Sequence, residues 1–187
     1  MAFPILGHAH PETYKIMDDI KEGIKYLFQT TNPLTLCLSA SGHAGMEAGL
    51  CNLIEDGDVV LIAVQGLWGE RAVDISTRLG ANVRLVEKAP NEVLTIEEVR
   101  KQIQTYKPKI FFVTHGESST GQLQNLEGFG NICREFDCLL FVDAVITMGC
   151  VPLYVDKWKI DVAYSGSQKV LNAPPGITPI TFGSRAM

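Results

Sequence analysis

Short apolar runs alternate with longer stretches of helical periodicity along this chain. TLCLSA (35–40), VVLIAV (59–64), NVRLVEK (82–88), KIFFVTH (109–115), CLLFVDA (138–144) and DVAYS (161–165) read as strands. ITPITFG (177–183) is a seventh candidate, weakened by Pro179, which has no amide hydrogen to give a ladder. The central runs are continuous apolar blocks, as expected of parallel strands covered on both faces. Helices are predicted over 11–28, 43–54, 68–80, 95–106 and 126–136. Thr95 is placed to cap the fourth, with Glu98 three residues on to complete a capping box. This alternation predicts an α/β fold: a mostly parallel sheet of about seven strands sandwiched by helices. No repeat, low-complexity segment or internal linker divides residues 1–187.

Composition narrows the function classes. The 187 residues, 46% hydrophobic and 20% charged, suit one globular domain with a sizeable core. A net charge of −5 argues against a nucleic-acid partner, which calls for a basic face. No membrane span is expected: the best apolar run, CLLFVDAVITMGC, is short of the roughly 18 residues required and contains Asp143. The opening MAFPILGHAHPE has no basic start and no long apolar stretch, so it does not read as a secretory leader. Five cysteines without a C-x-x-C point to reduced thiols and to no metal site.

In wound sheets of this kind, function gathers at the carboxyl ends of the strands. After the first strand, Ser39, Ser41, Gly42 and His43 open a helix, where free amides and the positive end of the dipole suit a phosphate. Plain serine capping is the bland alternative. After the second strand Trp68 lies between two glycines, either as core or as a plate for a flat ligand. THGESSTG (114–121) follows the fourth strand and looks too polar for core, so His115, Glu117, Ser118, Ser119 and Thr120 are site candidates. A hydrolase triad is set aside because G-x-S-x-G is missing. Asp143 ends the fifth strand behind an apolar run, and a buried carboxylate needs a partner, either a cationic side chain or a ligand. Lys169 follows the sixth strand among Ser165, Gly166, Ser167 and Gln168.

A reactive lysine, a carboxylate on the neighbouring strand, a phosphate cradle and an aromatic plate are the parts that pyridoxal 5′-phosphate requires. The lysine forms a Schiff base with the aldehyde, and the carboxylate keeps the ring nitrogen protonated so that the ring draws electrons.

These stretches resemble a known family. SGSQKVLNAPPG is similar to the cofactor-lysine signature of class V, fold type I aminotransferases. SASGHAGMEA, GLWGERAVDI, THGESSTGQLQ and VDAV resemble, in that order, motifs of alanine–glyoxylate and serine–pyruvate aminotransferases, with insect 3-hydroxykynurenine transaminases close by. The resemblance implies that Lys169 is the Schiff-base lysine and proton shuttle, and that Asp143 pairs with the pyridine nitrogen. It implies that Val145 and Trp68 pack on opposite ring faces. It implies further that Ser41, Gly42, His43 and Gln168 surround the phosphate, and that Ser118 lies near the cofactor hydroxyl and substrate. The implied reaction is ping-pong transamination between a small amino acid, alanine or serine, and a 2-oxo acid, glyoxylate or pyruvate. A homodimer and a peroxisomal or mitochondrial location are implied with it.

The sequence also departs from the family pattern. Ala40 replaces a frequent glycine, and Ile146, Thr147 and Cys150 are bulkier than usual, which would crowd the site. The family's earlier N-terminal segment and its C-terminal small domain, with the arginine that holds the substrate carboxylate, find no counterpart. The expectation is therefore a cofactor-binding large domain over 1–187. The alternatives are a shortened form that folds or dimerises without turnover, and a 3-hydroxykynurenine transaminase.

Overall fold

The computed structural model describes residues 5–89 and 91–187; the first residues of the opening stretch weighed above as a leader lie outside it. In chain order the strands are β1 (Leu34–Leu38), β2 (Val59–Val64), β3 (Asn82–Glu87), β4 (Ile110–Thr114), β5 (Gly116–Glu117), β6 (Gln122–Leu123), β7 (Leu139–Asp143), β8 (Val162–Tyr164) and β9 (Thr178–Phe182). The helices are α1 (Pro11–Phe28), α2 (Gly42–Leu53), α3 (Leu67–Arg78), α4 (Ile96–Tyr106) and α5 (Phe129–Glu135). One seven-stranded sheet has the order β1-β9-β8-β7-β4-β2-β3, and β5 with β6 forms a small separate hairpin. Neighbours from β8 across to β3 run parallel, while β9 is antiparallel to both β8 and β1.

The apolar blocks form central strands because alternate side chains feed two cores. Leu61, Phe111, Val113, Leu140 and Val142 pack on one face with Ile24 and Phe28 of α1, Val99 of α4 and Phe129 of α5. Val60, Ile62, Phe112 and Phe141 pack on the other with Met46 and Leu50 of α2 and Ile75 of α3. All five residues of β4 and all five of β7 are buried. Burial of each large apolar side chain contributes on the order of 1.5–3 kcal/mol.

The Thr95–Glu98 capping box forms as the sequence predicts. The predicted helix over 126–136 begins later, at Phe129, because Gly128 takes the left-handed conformation, with φ of 94°. Ser39 and Ala40, read as strand, leave the sheet to form the turn into α2. Pro179 does not weaken the seventh strand: β9 lies between two partners, all of its residues buried. The Pro179 carbonyl still accepts Ser165 N–H at 2.9 Å. The bond that proline cannot return falls opposite Ser165, one residue past the end of β8, where the ladder is already finishing.

Candidate active site

The carboxyl ends of β1, β2, β4, β7 and β8 surround a cavity of roughly 180 Å³. Ser41, Gly42, His43 and Trp68 line it from the α2 and α3 side. Asp143 lines it from the end of β7, and Ser118, Val145, Gln168 and Lys169 from the loops after β5, β7 and β8. All nine residues to which the family resemblance gives a role therefore meet at one place.

Ser41 precedes α2 in an extended conformation, and its hydroxyl makes no capping bond. The first-turn amides of Gly42 and His43 have no acceptor within the helix, so this end of α2 presents donors to the cavity. A Cβ on Gly42 would sit 3.3 Å from Val145 Cγ2, so glycine keeps the cradle open. Gly45 and Gly49 bring the helix down tightly: side chains there would meet Tyr164 Cδ2 at 2.8 Å and the Phe141 ring at 2.2 Å.

Asp143 is buried at 3% exposure. Tyr164 donates its hydroxyl to Oδ2, and the Val145 N–H donates to Oδ1 at 2.9 Å. Among the described residues no ion pair reaches this carboxylate. Burial pushes its pKa up to about 6, with the nearby Glu117 charge adding to the rise and the two hydrogen bonds opposing it. Burial and the Asp143 charge likewise push the Tyr164 phenol well above its ordinary value, so it remains a donor. The cation expected beside Asp143 is thus not a side chain of the described residues.

Lys169 is exposed and sits on a turn closed by Asn172 N–H to the Lys169 carbonyl at 3.1 Å. The loop that carries it is held by Ser167, whose hydroxyl donates to the Pro174 carbonyl at 2.7 Å and accepts Ile177 N–H at 3.3 Å. Trp68 is half-buried; its indole Nε1 donates to Ser118 Oγ at 2.8 Å.

The polar loop after β4 corrects the expectation that it lies outside the core. His115, Gly116 and Glu117 are buried, and of the five candidates there only Ser118 lines the cavity. Glu117 and Ser119 turn instead toward the start of α3. Burial lowers the His115 pKa to about 4, and its Nδ1 has no partner among the described residues. Of the three bulkier residues near Asp143, Ile146 does line the cavity, while Thr147 is buried behind Gly116 and Cys150 is exposed away from it. Tyr164 and Gly116 are lining residues that the sequence did not single out. Tyr164 is the register partner of Asp143 on the adjacent parallel strand, so both side chains leave the same face. Only the strand pairing reveals this.

The donor set fits a phosphorylated, flat, cationic ring. It offers amides at a helix N-terminus, a buried carboxylate with no cation, an indole at one wall, Val145 at another and an amine within the same cavity.

Known proteins agree with this arrangement. Residues 5–187 match the family model for class-V aminotransferases. The chain is 52% identical to an alanine–glyoxylate aminotransferase of Drosophila melanogaster over its full length, covering 48% of that protein. It is 54% identical to the Callithrix jacchus counterpart, over 97% of this chain and 44% of that one. A crystal structure of an alanine–glyoxylate aminotransferase from Nostoc superposes with a TM-score of 0.97 at 47% identity, over 98% of this chain and 49% of that one. The chain thus spans about half the length of the curated relatives it matches. With sheet, cavity and sequence in agreement, this chain belongs to the class-V aminotransferases.

Proposed function

We propose that the chain is the cofactor-holding part of a transaminase acting between a small amino acid, alanine or serine, and a 2-oxo acid, glyoxylate or pyruvate. The family is pyridoxal 5′-phosphate-dependent. The observation that carries the reading is the cation-free buried carboxylate of Asp143 in a cavity that also holds Lys169.

Bound pyridoxal phosphate supplies an aldehyde for amines and a ring that draws electrons from the substrate Cα. Lys169 would hold the aldehyde carbon through its amine, and the same amine is the base placed to move a proton at the substrate Cα. Asp143 would pair with the protonated ring nitrogen, its two oxygens already aimed by Tyr164 and Val145. Trp68 and Val145 would take the two faces of the ring, and Ser118 would offer a hydroxyl at its edge. The amides of Gly42 and His43, with Ser41 and Gln168, would take the phosphate.

Among the described residues Lys169 is the only lysine or arginine on the cavity walls, and its amine would be committed to the cofactor. A substrate carboxylate finds no fixed cation there. That favours a second reading for the 187-residue chain by itself: cofactor bound, with weak turnover. The partner we infer beyond small molecules is a second copy of the chain, a reading supported by the exposed apolar side chains of Tyr14, Ile16, Met17 and Ile20 on α1.

Titration with pyridoxal phosphate tests the cofactor site through a visible absorption band that is absent in Lys169→Ala. Alanine and glyoxylate then separate the two readings. Pyruvate released by this chain supports the full activity, and a band without pyruvate supports the second reading. No band at all contradicts both.

A further inference from the structure

Two carboxylates are buried beside this cavity, and the proposed chemistry uses one. The other is Glu117, only 1% exposed. Its Oε2 accepts the backbone N–H of Trp68 at 3.1 Å. Its Oε1 accepts the Ser119 N–H at 2.9 Å and the Ser119 hydroxyl at 2.6 Å. Ser119 Oγ in turn accepts the N–H of Leu67 at 3.0 Å. Two of the amides left open at the start of α3 are thus closed by a loop 49 and 52 residues further along the chain. A negative charge is favoured at that end of a helix by the aligned peptide dipoles.

The glycines around Trp68 allow this approach. A Cβ on Gly66 would meet Ser119 Oγ at 2.4 Å and Glu117 Cγ at 2.7 Å. One on Gly69 would meet the Ala63 carbonyl of β2 at 2.6 Å. Trp68 is therefore pinned at its backbone by Glu117 and at its indole N–H by Ser118, the next residue along.

We propose that Glu117 is a positioning residue of the cofactor site, fixing the depth and plane of the Trp68 indole on which the cofactor ring stacks. The inference rests on the pyridoxal phosphate reading above. The carboxylate form is required because all three groups facing it are donors. A glutamine turns its own NH₂ toward at least one of them, and an aspartate is a methylene too short to span both Trp68 and Ser119.

The test is a double-mutant cycle read by cofactor affinity. Glu117→Gln and Ser119→Ala are each made in the natural chain and in Trp68→Ala, and the dissociation constant for pyridoxal 5′-phosphate is measured by visible absorbance. Glu117→Gln is expected to weaken binding about tenfold in the natural chain and by less than about twofold in Trp68→Ala, where no indole remains to be placed. Ser119→Ala, which keeps the carboxylate, is expected to give a smaller loss with the same dependence on Trp68, and it carries the test if Glu117→Gln does not fold. In the cofactor-free chain, acrylamide should quench Trp68 emission more strongly in both variants, while half-buried Trp158, whose indole N–H bonds to neither Glu117 nor Ser119, is unchanged. Equal losses in both backgrounds, or unchanged affinity and quenching, overturn the inference and leave the cofactor reading standing. Failure of the natural chain to bind pyridoxal phosphate overturns both.

Discussion

The phenol of Tyr164 donates its hydrogen bond to Oδ2 of Asp143, and the two residues are register partners on β8 and β7. Phe141 braces Tyr164 from the side, with ring centroids 5.8 Å apart and planes at 68°. The bond stabilises the charged form of a buried carboxylate, and such bonds contribute about 1.5–3 kcal/mol. Tyr164→Phe should therefore raise the Asp143 pKa by about one unit or more and weaken pyridoxal phosphate binding about tenfold at neutral pH. Titration by visible absorbance checks this. An affinity equal to that of the natural chain would show that Tyr164 only fills space.

Asp143 also makes stability depend on pH. Its pKa is pushed up from 3.8 to about 6, chiefly by burial. Between these values the folded chain binds more protons than the unfolded one, so stability falls as pH rises through that window. The penalty, on the order of 3 kcal/mol, is fully in place above the upper value. A cationic ring nitrogen beside the carboxylate removes it. Pyridoxal phosphate should therefore raise the melting temperature more at about pH 7.5 than at about pH 5. The cofactor-free Asp143→Asn chain should melt higher than the natural one at the upper pH. Equal melting temperatures for those two cofactor-free chains would contradict the raised pKa.

The glycine face of α2 carries a packing prediction. A side chain at Gly49 meets the Phe141 ring, which is fully buried and packs edge-on against Phe112 at 5.2 Å. The ring has no free space to retreat into. Gly49→Ala should destabilise the chain by about 1–3 kcal/mol despite the better helix propensity of alanine. Gly23, exposed on α1 with nothing within 4 Å of an added Cβ, is the control. Gly23→Ala should be neutral or slightly stabilising. Thermal or urea unfolding of the two variants decides it.

What the sequence revealed follows from which physics is local. Strand and helix order came from periodicity, and the capping box at Thr95 from spacing, because these depend on near neighbours. Nine of the lining residues were found because they end a strand, lie on the segment that follows one or match a family motif, and parallel strands deliver their ends to one edge. Residues whose meaning depends on pairing were not legible. Tyr164 looked like ordinary strand core until β8 was set beside β7. Glu117 looked too polar to be buried until its three donors were known. Pro179 looked like a breaker because a single sequence does not show where its missing amide would have pointed.

Chemical trapping tests the central claim most directly. Pyridoxal 5′-phosphate is added to the folded chain, the bond to the amine is reduced with borohydride, and the chain is digested and analysed by mass spectrometry. The structure predicts one phosphopyridoxyl group, on the peptide containing Lys169, and much less labelling in Asp143→Asn at the same cofactor concentration. Labelling scattered over surface lysines, or a folded chain with Lys169 unmodified, would contradict it.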